Sequence, residues 1–170
     1  MKTMKHIALL TFILIFNFSF AQKKELRKAQ KLYDAGDISG ASQLLLENQS
    51  ILENADKKVK PKYDFLRGKI AQNNKDFQDA FDLYVPLKEV AAIKEEVAQQ
   101  LNLLSADIVN SAIDDNGNGD FKSSTEKLYL AYMIDPELNA DYLYYSASSA
   151  VNAEMFDVAL NYYIELKDKN

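Results

Sequence analysis

Four times along this chain a small residue, a turn residue, a second small residue and an aromatic residue or leucine recur in the same order. The first copy has Ala29, Gly36, Ala41 and Leu45, and the second Gly68, Lys75, Ala80 and Tyr84. The third has Ala112, Gly119, Ser124 and Leu128, and the fourth Ala147, Glu154, Ala159 and Tyr163. Small residues let the two helices of a hairpin approach closely, and the large residue four positions later packs one turn on. A bigger side chain at Ala80 or Ala159 would wedge the pair apart. The order predicts an all-α chain of four helical hairpins.

Residues 1–21 stand outside that pattern. Lys2 and Lys5 precede an apolar run of 14 residues from Ile7 to Phe20, and Ser19-Phe20-Ala21 puts small residues where a signal peptidase reads them. The expectation is an export signal cleaved before Gln22. A spanning helix needs about 20 apolar residues, and this run is shorter and is interrupted by Asn17. The reading therefore places the mature protein in the periplasm or cell envelope, without membrane insertion after cleavage. No cysteine is present to carry a lipid anchor.

The remaining 149 residues suffice for one well-buried domain or a short helical array. They carry 18 basic and 25 acidic residues, a net charge of −7, which argues against nucleic acid as a partner. With no cysteine, the fold relies on packing alone. The one histidine, His6, lies in the leader, so the mature chain has no His, Cys or Trp. That removes cysteine nucleophiles and histidine-based Ser triads, and leaves zinc only carboxylates. Paired carboxylates remain available for glycoside cleavage, but no spacing singles out a pair. No cofactor is implied, and the chain reads as no enzyme.

Helical periodicity runs almost throughout, with few breakers between periodic segments. The spacing predicts helices over residues 23–34, from a cap at Asp37 toward Ile51, from Pro61 through Ala71, and from Phe77, with a kink or early end near Tyr84 caused by Pro86. One long helix is expected from Val90, where Ile93, Val97, Leu101, Leu104, Ile108 and Ala112 follow the 3.6-residue period. The run Asp114–Asp120 is expected to break it. Helices over 121–134, stopped by Asp135-Pro136, then 139–151 and 156–166 complete the count.

The repeat resembles the tetratricopeptide repeat family. Leu128, Ala131 and Asp135-Pro136 look like that family's helix ending, and Leu143, Ala147, Phe156, Ala159 and Tyr163 look like its next repeat. Intervals of 39, 44 and 35 residues between Ala41, Ala80, Ser124 and Ala159 are uneven around the family's unit of about 34. The second copy departs further, with Lys75 for the turn glycine and Pro86 inside its second helix. The resemblance implies a right-handed α-solenoid with hairpins near 22–54, 59–92, 93–135 and 139–168. It also implies a non-catalytic scaffold that holds a peptide or protein segment on the concave face of the first helices. Leu26, Gln30, Tyr33, Phe65, Lys69, Gln72, Tyr144 and Ser148 would line that face. The lysine and asparagine clamp of chaperone-binding members is missing, since Leu26, Phe65, Val109 and Tyr144 occupy one of its layers.

Three other features bear on function. Asp114, Asn116, Asn118 and Gly119 fall at positions 1, 3, 5 and 6 of a calcium-loop pattern, but position 12 is Thr125 and Glu126 comes one residue late. A calcium-responsive module is thus an alternative to a polar hairpin turn. Seven of ten tyrosines lie between Tyr129 and Tyr163, where a glycan-binding surface competes with ordinary core packing. On helical spacing Tyr129 and Tyr163 belong to the core and Tyr144 is the exception. Lys57, Lys58, Lys60 and Lys62 read as a solvated link or an anion-attracting stretch. Finally, Phe156, Leu160 and Tyr163 give the last helix an uncovered apolar side, as expected of a fragment of a longer repeat protein or of a docking terminus.

Overall fold

In the computed structural model, which describes residues 21–169, the four turn residues of the repeat all adopt the left-handed backbone region. Their φ angles are +86° at Gly36, +64° at Lys75, +82° at Gly119 and +58° at Glu154. Around each, the same pair of hydrogen bonds closes the preceding helix. The turn residue's N–H reaches three residues back, from Gly36 to Tyr33 O (2.9 Å), Lys75 to Gln72 O (3.0 Å), Gly119 to Asn116 O (3.1 Å) and Glu154 to Val151 O (3.1 Å). The next N–H reaches five back, from Asp37 to Leu32 O, Asp76 to Ala71 O, Asp120 to Asp115 O and Met155 to Ala150 O, each 2.9 Å. This is the Schellman closure, which satisfies carbonyls that a helix end leaves open. The following helix then starts identically, with Ala41, Ala80, Ser124 and Ala159 donating at 3.0 Å to the carbonyl four residues back.

The described chain is all-helical, and no strand occurs among the described residues. Helix α1 covers residues 21–34, followed by α2 (Ile38–Glu47), the short α3 (Gln49–Glu53), α4 (Lys60–Asn73) and α5 (Phe77–Tyr84). After a 3-10 turn at Val85–Leu87 come α6 (Lys94–Gly117), α7 (Phe121–Ile134), α8 (Ala140–Asn152) and α9 (Phe156–Lys169). Among the described residues no helix is long and apolar enough to cross a membrane. The proposed leader and its cleavage site lie outside the described residues, apart from Ala21 and Gln22.

The chain divides into two compact units, Met1–Lys94 and Glu95–Asn170. In the first, Leu26 and Ala29 of α1, Ala41 and Leu45 of α2, Leu52 of α3, and Tyr63, Leu66 and Ile70 of α4 form one core. Asp37 caps α2 through Oδ1, which accepts from Gly40 N at 2.8 Å. Gly68 on α4 and Ala80 on α5 are buried where the second hairpin closes on Tyr84.

In the second unit, Asp120 caps α7 by accepting from Ser123 N (3.1 Å). Buried serines tie the next helix on: Ser146 Oγ donates to Thr125 O at 2.8 Å, and Ser149 Oγ donates to Phe121 O at 3.2 Å. Lys127 of α7 meets Asp115 of α6 at 2.6 Å and donates to Ser111 Oγ at 2.8 Å.

Three boundaries differ from the sequence reading. The second helix divides at Asn48, whose Nδ2 donates to Leu44 O (2.9 Å), so Ile51 falls in the separate α3. The long helix begins at Lys94 rather than Val90, because tight turns with Val90 N bonded to Leu87 O and Ile93 N bonded to Val90 O carry the chain past Pro86. It also runs through Asp114–Gly117 instead of breaking there. Asp and Asn only weaken a helix, whereas Gly119 supplies the left-handed residue that ends it.

Candidate partner-binding surfaces

In the first unit α1 and α4 run side by side. Leu26 and Lys62 line one cavity, and seven residues further along both helices Lys69 Nζ sits 4.4 Å over the Tyr33 ring. That cation–π contact joins two of the expected groove residues. Burial, then the Asp34 carboxylate, push the Tyr33 hydroxyl above its ordinary value, so it stays a neutral donor. Gln30, the third, is half-buried with its Nε2 donating to Asp34 Oδ1 at 2.7 Å.

The other expected residues of this unit turn inward. Leu26 is a core residue, 8% exposed, and reaches solvent only as the floor of the cavity. Gln72 is equally buried and accepts from the Tyr84 hydroxyl (3.3 Å). Phe65 packs on the Tyr84 ring with centroids 5.6 Å apart. Phe65 and Gln72 thus support the hairpin. A separate cavity of about 360 Å3 lies among α2, α4 and α5, lined by Leu46, Arg67, Asp76 and Asp79 among others.

In the second unit Tyr144 is 53% exposed and Ser148, one turn on, is also exposed. The Tyr144 ring meets Tyr145 edge-on at 5.7 Å and Tyr163 of α9 at 6.2 Å. Placing Tyr163 in the core by spacing is therefore corrected: it is 38% exposed, because among the described residues no helix covers the outer side of α9. Phe156 and Leu160 are open on that helix, as expected. Tyr129 does pack, stacked on Tyr162 at 4.6 Å and 7°. Burial, with Tyr129, Glu165 and Glu126 nearby, pushes the Tyr162 hydroxyl up to about 12. Tyr144 is not the lone exception among the clustered tyrosines: Tyr145, on a neighbouring face of the helix, is 54% exposed as well.

The Asp/Asn/Gly run is a helix end. Asp114 and Asn116 stand on the last turns of α6, Asn116 Nδ2 donates to Ser149 Oγ (3.3 Å), Asn118 is in the turn and Asp120 is the α7 cap. Asp115, not Asp114, points inward to Lys127. Among the described residues no group of three His, Cys, Asp or Glu side chains is placed to hold a metal ion.

Of the linker lysines, Lys60 pairs with Asp64, while Lys58 and Lys62 join Lys23 and Arg27 around the α1 cavity. The i, i+4 spacing of Lys23 and Arg27 was the available signal for that grouping. No protein family, curated protein or solved structure gave a significant match to the chain.

Proposed function

We propose that the protein is a non-catalytic scaffold of the bacterial envelope, built of tetratricopeptide-like hairpins, that binds a peptide or protein segment on its first-of-pair helices. The observation carrying this reading is the recurrence of one Schellman-closed hairpin at all four copies, including those with Lys75 and Glu154 at the turn. Such a device repeats a helix face rather than building a reaction centre. Within the first unit the face presents Gln30, Tyr33 and Lys69. Within the second it presents Tyr144 and Ser148. Rigid aromatic anchors with adaptable polar neighbours suit peptide capture.

A photo-crosslinking side chain placed at Gln30 or Tyr144 should yield a discrete protein adduct in cells, lost when Lys69 or Tyr145 is replaced by Ala. The same probe at Gln43 on α2 should yield none. Equal labelling from all three positions would remove the assignment. A glycan-binding reading draws on the open Tyr144, Tyr145 and Tyr163 cluster, because tyrosine faces stack on sugar rings. Retention on a glycan array that disappears with Tyr144→Ala would favour it over the scaffold.

A further inference from the structure

Positive charge is concentrated in the first unit. Of the 18 basic residues beyond the apolar run, 14 fall within residues 22–94, whereas residues 95–170 hold four against 14 acids. Where α1 passes the start of α4, a cavity of about 290 Å3 opens. Lys23 and Arg27 of α1 stand on one side, and Lys58 and Lys62 on the other. Leu26 and Val59, both nearly buried, form its floor, and no acidic side chain lines it.

All four cations are exposed, and among the described residues none of them has a carboxylate within 4.0 Å. The neighbouring acids are already used, Glu25 by Lys28 and Asp64 by Lys60. Four like charges around one recess raise its potential, and a counter-anion relieves it. A lone carboxylate neutralises little of this. The basic strip also extends along α1, where Lys24, Lys28 and Lys31 follow the helical period beside Lys23 and Arg27. An extended basic face with one apolar-floored recess matches an array of phosphates attached to hydrocarbon better than a single small ion.

We propose that the Lys23–Arg27–Lys58–Lys62 pocket binds the phosphate of an anionic phospholipid and seats the first unit on a lipid surface. The proposal needs no protein partner and is independent of the scaffold reading. Each cation near an anionic surface strengthens binding severalfold, and salt screens the attraction.

The test is flotation of the full chain with vesicles of phosphatidylcholine alone or with about a third phosphatidylglycerol, the leader being common to every variant. The wild type should prefer the anionic vesicles and lose that preference at high salt. Arg27→Gln with Lys62→Gln should weaken anionic binding by roughly 10- to 30-fold. Lys122→Gln with Lys167→Gln in the second unit should not, and circular dichroism should show both pairs folded. Equal binding to the two vesicle types, or an unchanged Arg27/Lys62 variant, overturns the proposal. So does full competition by millimolar inorganic phosphate, which would assign the pocket to a free anion, or tighter binding of polyglutamate, which would assign it to an acidic chain.

Discussion

Gly68 lies directly against the ring of Tyr84: a Cβ at that position would stand 2.8 Å from Tyr84 Cδ1 and closer still to Cε1. Tyr84 is fully buried and its hydroxyl is bonded to Gln72, so the ring cannot swing away. The closest approach in the second hairpin therefore depends on the absence of one methyl group.

Gly68→Ala should destabilise the protein by about 1–3 kcal/mol, because overpacking outweighs the roughly 1 kcal/mol that alanine gains over glycine in a helix. Urea denaturation measures it. In a Tyr84→Leu background the same change should become neutral or stabilising, and an equal loss in both backgrounds would show that the contact is not the cause.

The turns supply a second experiment with built-in controls. Lys75 and Glu154 hold left-handed φ values that cost a residue with a Cβ about 1 kcal/mol, whereas Gly36 and Gly119 adopt them freely. Lys75→Gly and Glu154→Gly should each raise stability by roughly 0.5–1 kcal/mol, and Gly36→Ala and Gly119→Ala should lower it by about 1 kcal/mol. Thermal melts in which all four changes act in one direction would contradict the shared turn geometry.

Ser124 fills the place that alanine holds in three of the four copies, and its Oγ is buried with no hydrogen-bond partner. Ser124→Ala removes an unsatisfied hydroxyl and improves helix propensity, so it should stabilise by about 0.5–1 kcal/mol. A loss of stability on denaturant titration would mean that the hydroxyl has a partner, such as a bound water.

The repeat made the hairpins legible because its small residues and turns act locally: Ala29, Gly68, Ala112 and Ala147 are all buried at the close approaches. The substituted turn at Lys75 keeps the left-handed φ and the same pair of closing hydrogen bonds. Helix ends governed by side-chain competition were less legible. Asn48 divides a helix by taking Leu44 O, and Gly119 rather than the Asp114 run decides where α6 stops. Of the residues expected on the concave face, the structure brings Tyr33 and Lys69 together and leaves Tyr144 open, whereas Phe65 and Gln72 pack against Tyr84, a partner on another helix that their own spacing does not reveal. The basic pocket was seen only in part, because Lys23 and Lys62 are far apart in sequence.

The Asp115–Lys127 pair yields a pH dependence. Burial pushes the Asp115 carboxyl up, but hydrogen bonds from Lys127 and Ser123 and the Lys127 charge outweigh it and hold the folded-state value below the ordinary 3.8. A depressed carboxyl stabilises the fold above its unfolded value, and the contribution is lost as pH falls through the lower, folded value. At pH 7 the pair is ionised, and Lys127→Met, which strands a mostly buried carboxylate, should cost about 1–3 kcal/mol. Once the pH has fallen through that lower, folded-state value, Asp115 is protonated in both proteins and the gap should narrow to the packing difference alone. Urea titrations of both proteins across that range check this, and a gap independent of pH would show that Lys127 acts through its contact with Ser111 rather than through charge.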